Sequence, residues 1–120
     1  MTGPARLRIS GITGAIAVAA GAFGAHGLHD LVTPERLQTW ETAARYHLVH
    51  AVVLLVLALA PERTGRAFEL LFAGSTVFAG SLYLLVLLDQ PLLGAVTPIV
   101  GVLLIAGWLS IARSARSAPD

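Results

Sequence analysis
Residues 21–50, GAFGAHGLHDLVTPERLQTWETAARYHLVH, lie between two apolar runs long enough to enter a bilayer and carry most of the polar character of the chain. All 4 histidines are here, with Arg36 and Arg45 from a total of 8 arginines. How this stretch divides decides the fold. His29 and Asp30 open a polar connection, and Thr33, Pro34 and Glu35 read as an N-cap, a proline at the first helical position and an acid in the first turn. One helix therefore ends near His26 and a second begins at Pro34. Carried on to Ala60, the second would be roughly 40 Å long at 1.5 Å per residue, longer than a hydrocarbon core of about 30 Å. Only residues 48–60 are strongly apolar, so the crossing must take in Ala43, Ala44, Arg45, Tyr46 and His47, whose side chains then sit at or below the headgroups.

The composition explains why these runs need a membrane. Of 120 residues, 56% are hydrophobic and 12% charged, against about 25% charged in soluble domains, and the mean hydropathy is +0.77. A soluble chain this small could not bury so much apolar surface, because small domains leave a large fraction of their surface exposed. A formal net charge of +1 with no basic stripe excludes a nucleic-acid partner. Cysteine is absent, which removes disulfides, thiolate metal sites and thiol nucleophiles and leaves the redox compartment open.

Outward from the central stretch, a polar head with Arg6 and Arg8 precedes the uncharged run Ile9 to Ala25. A cleavable signal peptide has the same three-part layout, but the remainder of the chain is equally apolar, so a retained helix is expected. Pro61, with Thr64 and Gly65, ends the second helix. A third run, Leu70 to Leu88, is bounded by Arg66 and Glu69 before it and by Asp89 and Gln90 after it. The fourth extends from Pro91 to Ala112, with Trp108 near its end. The expected architecture is all-α: an integral membrane, antiparallel four-helix bundle in a single transmembrane domain, 1–120, with spans at approximately 8–27, 41–60, 68–88 and 91–112. Arg6, Arg8, Arg63, Arg66, Arg113 and Arg116 fall on one side of such a bundle and Arg36 and Arg45 on the other. The positive-inside rule then puts both termini in the cytoplasm. Small residues seven apart (Gly14 and Gly21, Gly74 and Ser81, Gly94 and Gly101) suggest packing seams, since helices in lipid associate by close approach.

GAFGAHGL in the first helix, W-ETA at 40–43 followed by YH and HA in the second, GSLYLL at 80–85, and VTPI with GW across 96–108 resemble, in this order, one family. It is the small four-helix membrane proteins of domain of unknown function 423, similar to the mitochondrial transmembrane protein 256. The resemblance covers about Ile9 to Ala112. It implies a multi-pass protein of the bacterial inner membrane, or a mitochondrial one in eukaryotes, and it implies no activity. The chain lacks an arginine- and serine-rich amphipathic leader, which favours the bacterial location. Tyr46-His47 departs from the family pattern, which has glutamine after the tyrosine, whereas His26 and His50 match positions in it.

The candidate polar cluster is His26, Glu41, Arg45, Tyr46, His47 and His50, with Glu69 as a secondary candidate. At 100° per residue Trp40, Tyr46, His47 and His50 fall within about 120° of one another, with Glu41 and Arg45 on another face as an i, i+4 pair in the favourable order. His26, at the outer end of the first helix, is placed to face Tyr46, His47 or His50. Three imidazoles from His26, His47 and His50 would suit zinc or copper, and two across the bundle a haem iron, but hydrogen bonding to backbone or tyrosine is the commoner use, and no cofactor is called for. Glu69, three residues after Arg66, reads as an interfacial acid at a helix start. Ser10, Ser75, Ser81 and Ser110 have no base near them in sequence, and GAFGAHG lacks the preceding strand of a dinucleotide-binding loop. The reading is a non-enzymatic accessory, assembly or interaction component of a membrane complex whose partners are the bilayer and either further copies or a larger assembly. The alternatives are a small-solute or proton-coupled transporter using His26, Arg45, His50 and Glu69, and a metal- or haem-binding protein.

Overall fold
The structure is a computed structural model that describes residues 1–64 and 66–115. Gly65 and Arg116, together with the side chain of Arg63, entered the expected second turn and the charge count; they lie outside the described residues, as do 117–120. Among the described residues the regular elements are four α-helices, α1 (Gly3–Ala25), α2 (Pro34–Ala58), α3 (Ala67–Leu88) and α4 (Val96–Ser114), with 3-10 turns at Pro61–Arg63 and Pro91–Ala95. α1, α2, α3 and the continuous stretch Pro91–Ser114, in which the second 3-10 turn runs into α4, are each long and apolar enough to cross a membrane.

Capping chemistry sets most of the boundaries. α1 begins before the uncharged run because the Thr2 hydroxyl accepts the Ala5 N–H at 3.1 Å and Pro4 occupies the first turn. Arg6 thus belongs to a helix and not to a polar head. Thr33 caps α2 through the Arg36 N–H at 3.3 Å, with Pro34 at the first position. α3 stops at Asp89, whose φ of 51° is left-handed, a conformation short polar side chains tolerate. The fourth run opens as a 3-10 turn at Pro91 and becomes α-helical only at Val96. Pro98 sits in the first turn of α4, where its missing N–H removes no intrahelical bond.

The helices pack in chain order, α1 on α2, α2 on α3 and α3 on α4, in a body 52 Å long. The fully buried side chains Ala43 and Leu54 of α2 and Ala67, Phe68, Leu71 and Ala79 of α3 mark these two helices as the packed middle. The flanking helices show most of their surface outward, including Ile12 and Val18 of α1 and Ile99 and Val102 of α4. The contacts at the helix ends are specific. Arg6 of α1 meets Glu69 at the start of α3, Trp40 at the start of α2 meets Ala20 late in α1, and Arg36 of α2 meets Asp89 at the end of α3.

The seven-residue glycine seams need correction. Gly14, Gly74 and Gly94 do face neighbouring helices or turns, but a Cβ at Gly21 or Gly101 would meet nothing within 4 Å. The Ser75 and Ser81 hydroxyls bond back to the carbonyls of Phe72 and Phe78 on their own helix, so neither links two helices. The tightest approaches lie elsewhere. A Cβ at Gly24 would be 2.7 Å from Trp40 Cδ1, and one at Gly107 2.6 Å from Leu71 Cδ2.

Candidate functional site
The polar face expected of α2 divides between two neighbours. Trp40 is buried and donates its indole N–H to the Ala20 carbonyl at 2.7 Å. Its ring packs edge-on to Phe23 at 5.6 Å between centroids and tilted on Tyr83 at 4.6 Å. Two turns along α2, His47 Nδ1 lies 3.1 Å from the Tyr83 hydroxyl. Trp40, His47 and Tyr83 therefore form one continuous cluster joining α2 to α3, with α1 held on by the indole.

His50 turns the other way, toward α4. The Trp108 indole donates to His50 Nε2 at 3.2 Å, and His50 Nδ1 lies 2.7 Å from the Tyr46 carbonyl. An indole nitrogen only donates and a carbonyl only accepts, so the His50 proton sits on Nδ1 and both ring nitrogens are committed. Such an imidazole is a structural clasp; a metal or a migrating proton would have to break one of its bonds first. Trp108→Phe removes a single hydrogen bond while keeping most of the ring, and should lower stability by about 1 kcal/mol, read as a modest drop in melting temperature in detergent.

The remaining candidates do not converge. His26 caps the end of α1 with its side chain exposed, apart from the buried His47, bonded through Nδ1 to Tyr83, and the buried His50, committed at both ring nitrogens. Among the described residues no three His, Asp or Glu side chains come together around a metal position. Glu41 and Arg45 are both exposed and are not among the ion pairs the structure forms. Their i, i+4 spacing permits a bridge, but the structure leaves both side chains on the outer surface of α2 without one. Tyr46 stacks on Phe78 at 4.9 Å and stays half-exposed.

Sequence reasoning missed the partner of Glu69. Its Oε1 accepts from Arg6 Nη2 at 3.0 Å, and Arg6 is only 7% exposed, with its guanidinium carbon 5.1 Å above the Phe68 ring. Arg6 Nε and Nη1 and Glu69 Oε2 are buried without a hydrogen-bond partner among the described residues. A charged pair on two helices distant in sequence ties α1 to α3. The available signal was that Arg6 and Glu69 would lie at the same end of an alternating bundle, but both read equally well as interfacial charges.

One turn beyond that pair, a cavity of about 390 Å³ separates α1 from α3. Ile9, Thr13 and Ile16 form one wall and Phe72, Gly80 and Tyr83 the other, with His47 of α2 also lining it. The Tyr83–His47 hydrogen bond is thus part of the lining of a largely apolar space, on which Thr13 and Thr76 are the other polar side chains.

Four apolar helices of this length, with polar side chains paired between them, define a small integral membrane protein. Within that class the chain belongs to the family described as "Protein of unknown function (DUF423)", which matches residues 20–101. It is 42% identical over 113 residues to the UPF0382 membrane protein YwdK of Bacillus subtilis, covering 89% of this chain and 92% of that relative. A UPF0382 membrane protein of Staphylococcus epidermidis is 44% identical over 98 residues, 78% of this chain and 80% of its own. One of Staphylococcus aureus, SAB0533, is 40% identical over 100 residues, 80% and 82%. No solved structure matches the chain. The family resemblance carried by GAFGAHGL, the W-ETA segment and the later motifs is therefore correct.

Proposed function
We propose that this protein is a non-enzymatic component of the bacterial inner membrane that works by lateral association, as an accessory or assembly subunit of a membrane complex or as a self-associating unit. The observation that carries this reading is the contrast between used and unused glycines. Gly24, Gly74 and Gly107 admit neighbouring side chains within the chain, whereas Gly11 and Gly21 of α1 and Gly101 of α4 have nothing within 4 Å of where a Cβ would stand. In lipid, where apolar surface alone gives helices little reason to associate, small residues on an outward face let another helix approach closely. α1 and α4 flank the packed middle and offer such faces on both sides.

The contacts at the helix ends favour helices alternating in direction. With that topology Arg6, Arg66 and Arg113 share one end, which the positive-inside rule assigns to the cytoplasm together with both termini. The transporter reading finds less support: His50 is committed at both nitrogens, Glu69 is bound to Arg6, and His26 and Arg45 stand apart from both.

A photoreactive residue introduced at position 21 or 101 in intact membranes tests the proposal. Discrete protein adducts from either position, and lipid adducts alone from a control at Val52, an outward position of α2, are the expected result. Lipid adducts alone at all three positions would argue against association.

A further inference from the structure
We infer that the cavity between α1 and α3 binds an uncharged lipid carrying a carbonyl or hydroxyl at its head, held by His47 and Tyr83. The volume of about 390 Å³ is within the range of small-molecule sites, which are typically apolar with a few placed polar groups. The lining fits that pattern. Among the described residues it has no charged side chain, and Arg6, one turn away, is already paired with Glu69, so the lining itself would not neutralise a phosphate or a carboxylate; its polar side chains are His47, Tyr83, Thr13 and Thr76. A phospholipid head has no counter-charge in this space.

The His47–Tyr83 hydrogen bond determines what the wall can recognise. If the tyrosine hydroxyl donates to His47 Nδ1, the imidazole proton is on Nε2 and can donate to a carbonyl. If Nδ1 carries the proton and donates to the tyrosine oxygen, Nε2 accepts and the tyrosine O–H is free to donate. In either arrangement the pair retains one free donor and one free acceptor, which suits a carbonyl, a hydroxyl or a head that exchanges one for the other. Only Nδ1 of His47 has a hydrogen-bond partner among the described residues. The cavity also opens sideways, since Ile12 and Ile16 on its α1 wall are 62% and 52% exposed. A tail longer than the cavity can leave through that side into the bilayer, so the ligand need not fit entirely inside. Two lipid sources share this head chemistry: an isoprenoid quinone or its quinol, and a diacylglycerol.

The full chain purified in mild detergent is titrated with a decyl-benzoquinone and, separately, with dioctanoylglycerol, and bound ligand is counted by native mass spectrometry with phosphatidylglycerol as competitor. One equivalent of at least one neutral probe should bind, resistant to phosphatidylglycerol, and the probe that binds identifies the source. Gly80→Leu places a side chain into the cavity at a position where a Cβ meets nothing within 4 Å, so it should fold and abolish binding. His47→Phe should weaken binding about ten-fold, the effect of one lost hydrogen bond. His47→Gln, which again offers a donor and an acceptor, should largely restore it and serves as the comparison if the phenylalanine variant does not fold. Failure of both probes to bind, unchanged affinity in Gly80→Leu, or equal competition by phosphatidylglycerol would overturn the site. Equal affinity in wild type and His47→Phe, or a His47→Gln variant that folds without binding, would overturn the recognition of the head.

Discussion

Trp40→Ala should lower the stability of the protein by about 3 kcal/mol, at the low end of the range for truncating a buried aromatic. The low end applies because the unfolded chain in a micelle or bilayer also has apolar surroundings, so much of the transfer contribution disappears and the void and lost contacts remain. Those contacts are extensive: Trp40 is 5% exposed, packs on Phe23 and Tyr83, and donates to the Ala20 carbonyl. Trp40→Phe separates the components, keeping a ring and removing the indole N–H, and should cost about 1 kcal/mol. Gly24 supplies an independent check. Its absent side chain makes room for the indole, so Gly24→Ala should cost about 1 to 3 kcal/mol by overpacking in the wild type and close to nothing on a Trp40→Ala background. Additive losses in unfolding titrations in detergent would show that Gly24 and Trp40 do not share this contact.

The same residues show what could be read from the sequence. The four helices were legible because their signals are local: uncharged runs bounded by charge, and Thr33-Pro34-Glu35 as a start. Trp40, His47 and His50 were legible as one face of α2, since that requires only the helical period. What each side chain meets was not legible, because it depends on how neighbouring helices rotate about their axes. That rotation sends His47 to Tyr83 and His50 to Trp108, and it leaves His26 outside, although all three had been candidates for one metal position. The glycine seams failed for a related reason. A seven-residue spacing locates a stripe on one helix without showing whether another helix lies against it, and Gly24 and Gly107 outside that spacing make the closest contacts. Arg6 was obscured by its position, because an arginine in the first turns of a chain is most simply explained as an orienting charge.

A double-mutant cycle on Arg6 and Glu69 distinguishes that explanation from the one the geometry supports. If Arg6 were only an orienting charge, Glu69→Leu would change little. In the structure Glu69→Leu leaves a guanidinium that is 7% exposed, lying over Phe68 and deprived of the only side-chain hydrogen bond it makes among the described residues. Breaking a buried pair by removing one partner costs roughly 3 to 5 kcal/mol, and the loss here should be near the lower figure, about 3, because the long arginine stem leaves some freedom to reach the headgroups. Arg6→Met should be cheaper, about 1 kcal/mol, since the Glu69 side chain is 43% exposed and its carboxylate can turn toward water, where a pair contributes little. The combined Arg6→Met/Glu69→Leu variant replaces both charges with apolar groups of similar length and should recover to within about 1 kcal/mol of the wild type, as apolar substitutes for buried ion pairs often do. The asymmetry of the single losses and their cancellation in the double variant, measured by unfolding in detergent, form the signature of a buried cation held by one acid. It would also show that the α1–α3 tie beside the cavity depends on matching the two positions and not on charge itself, because the double variant keeps the helices together with no charge between them.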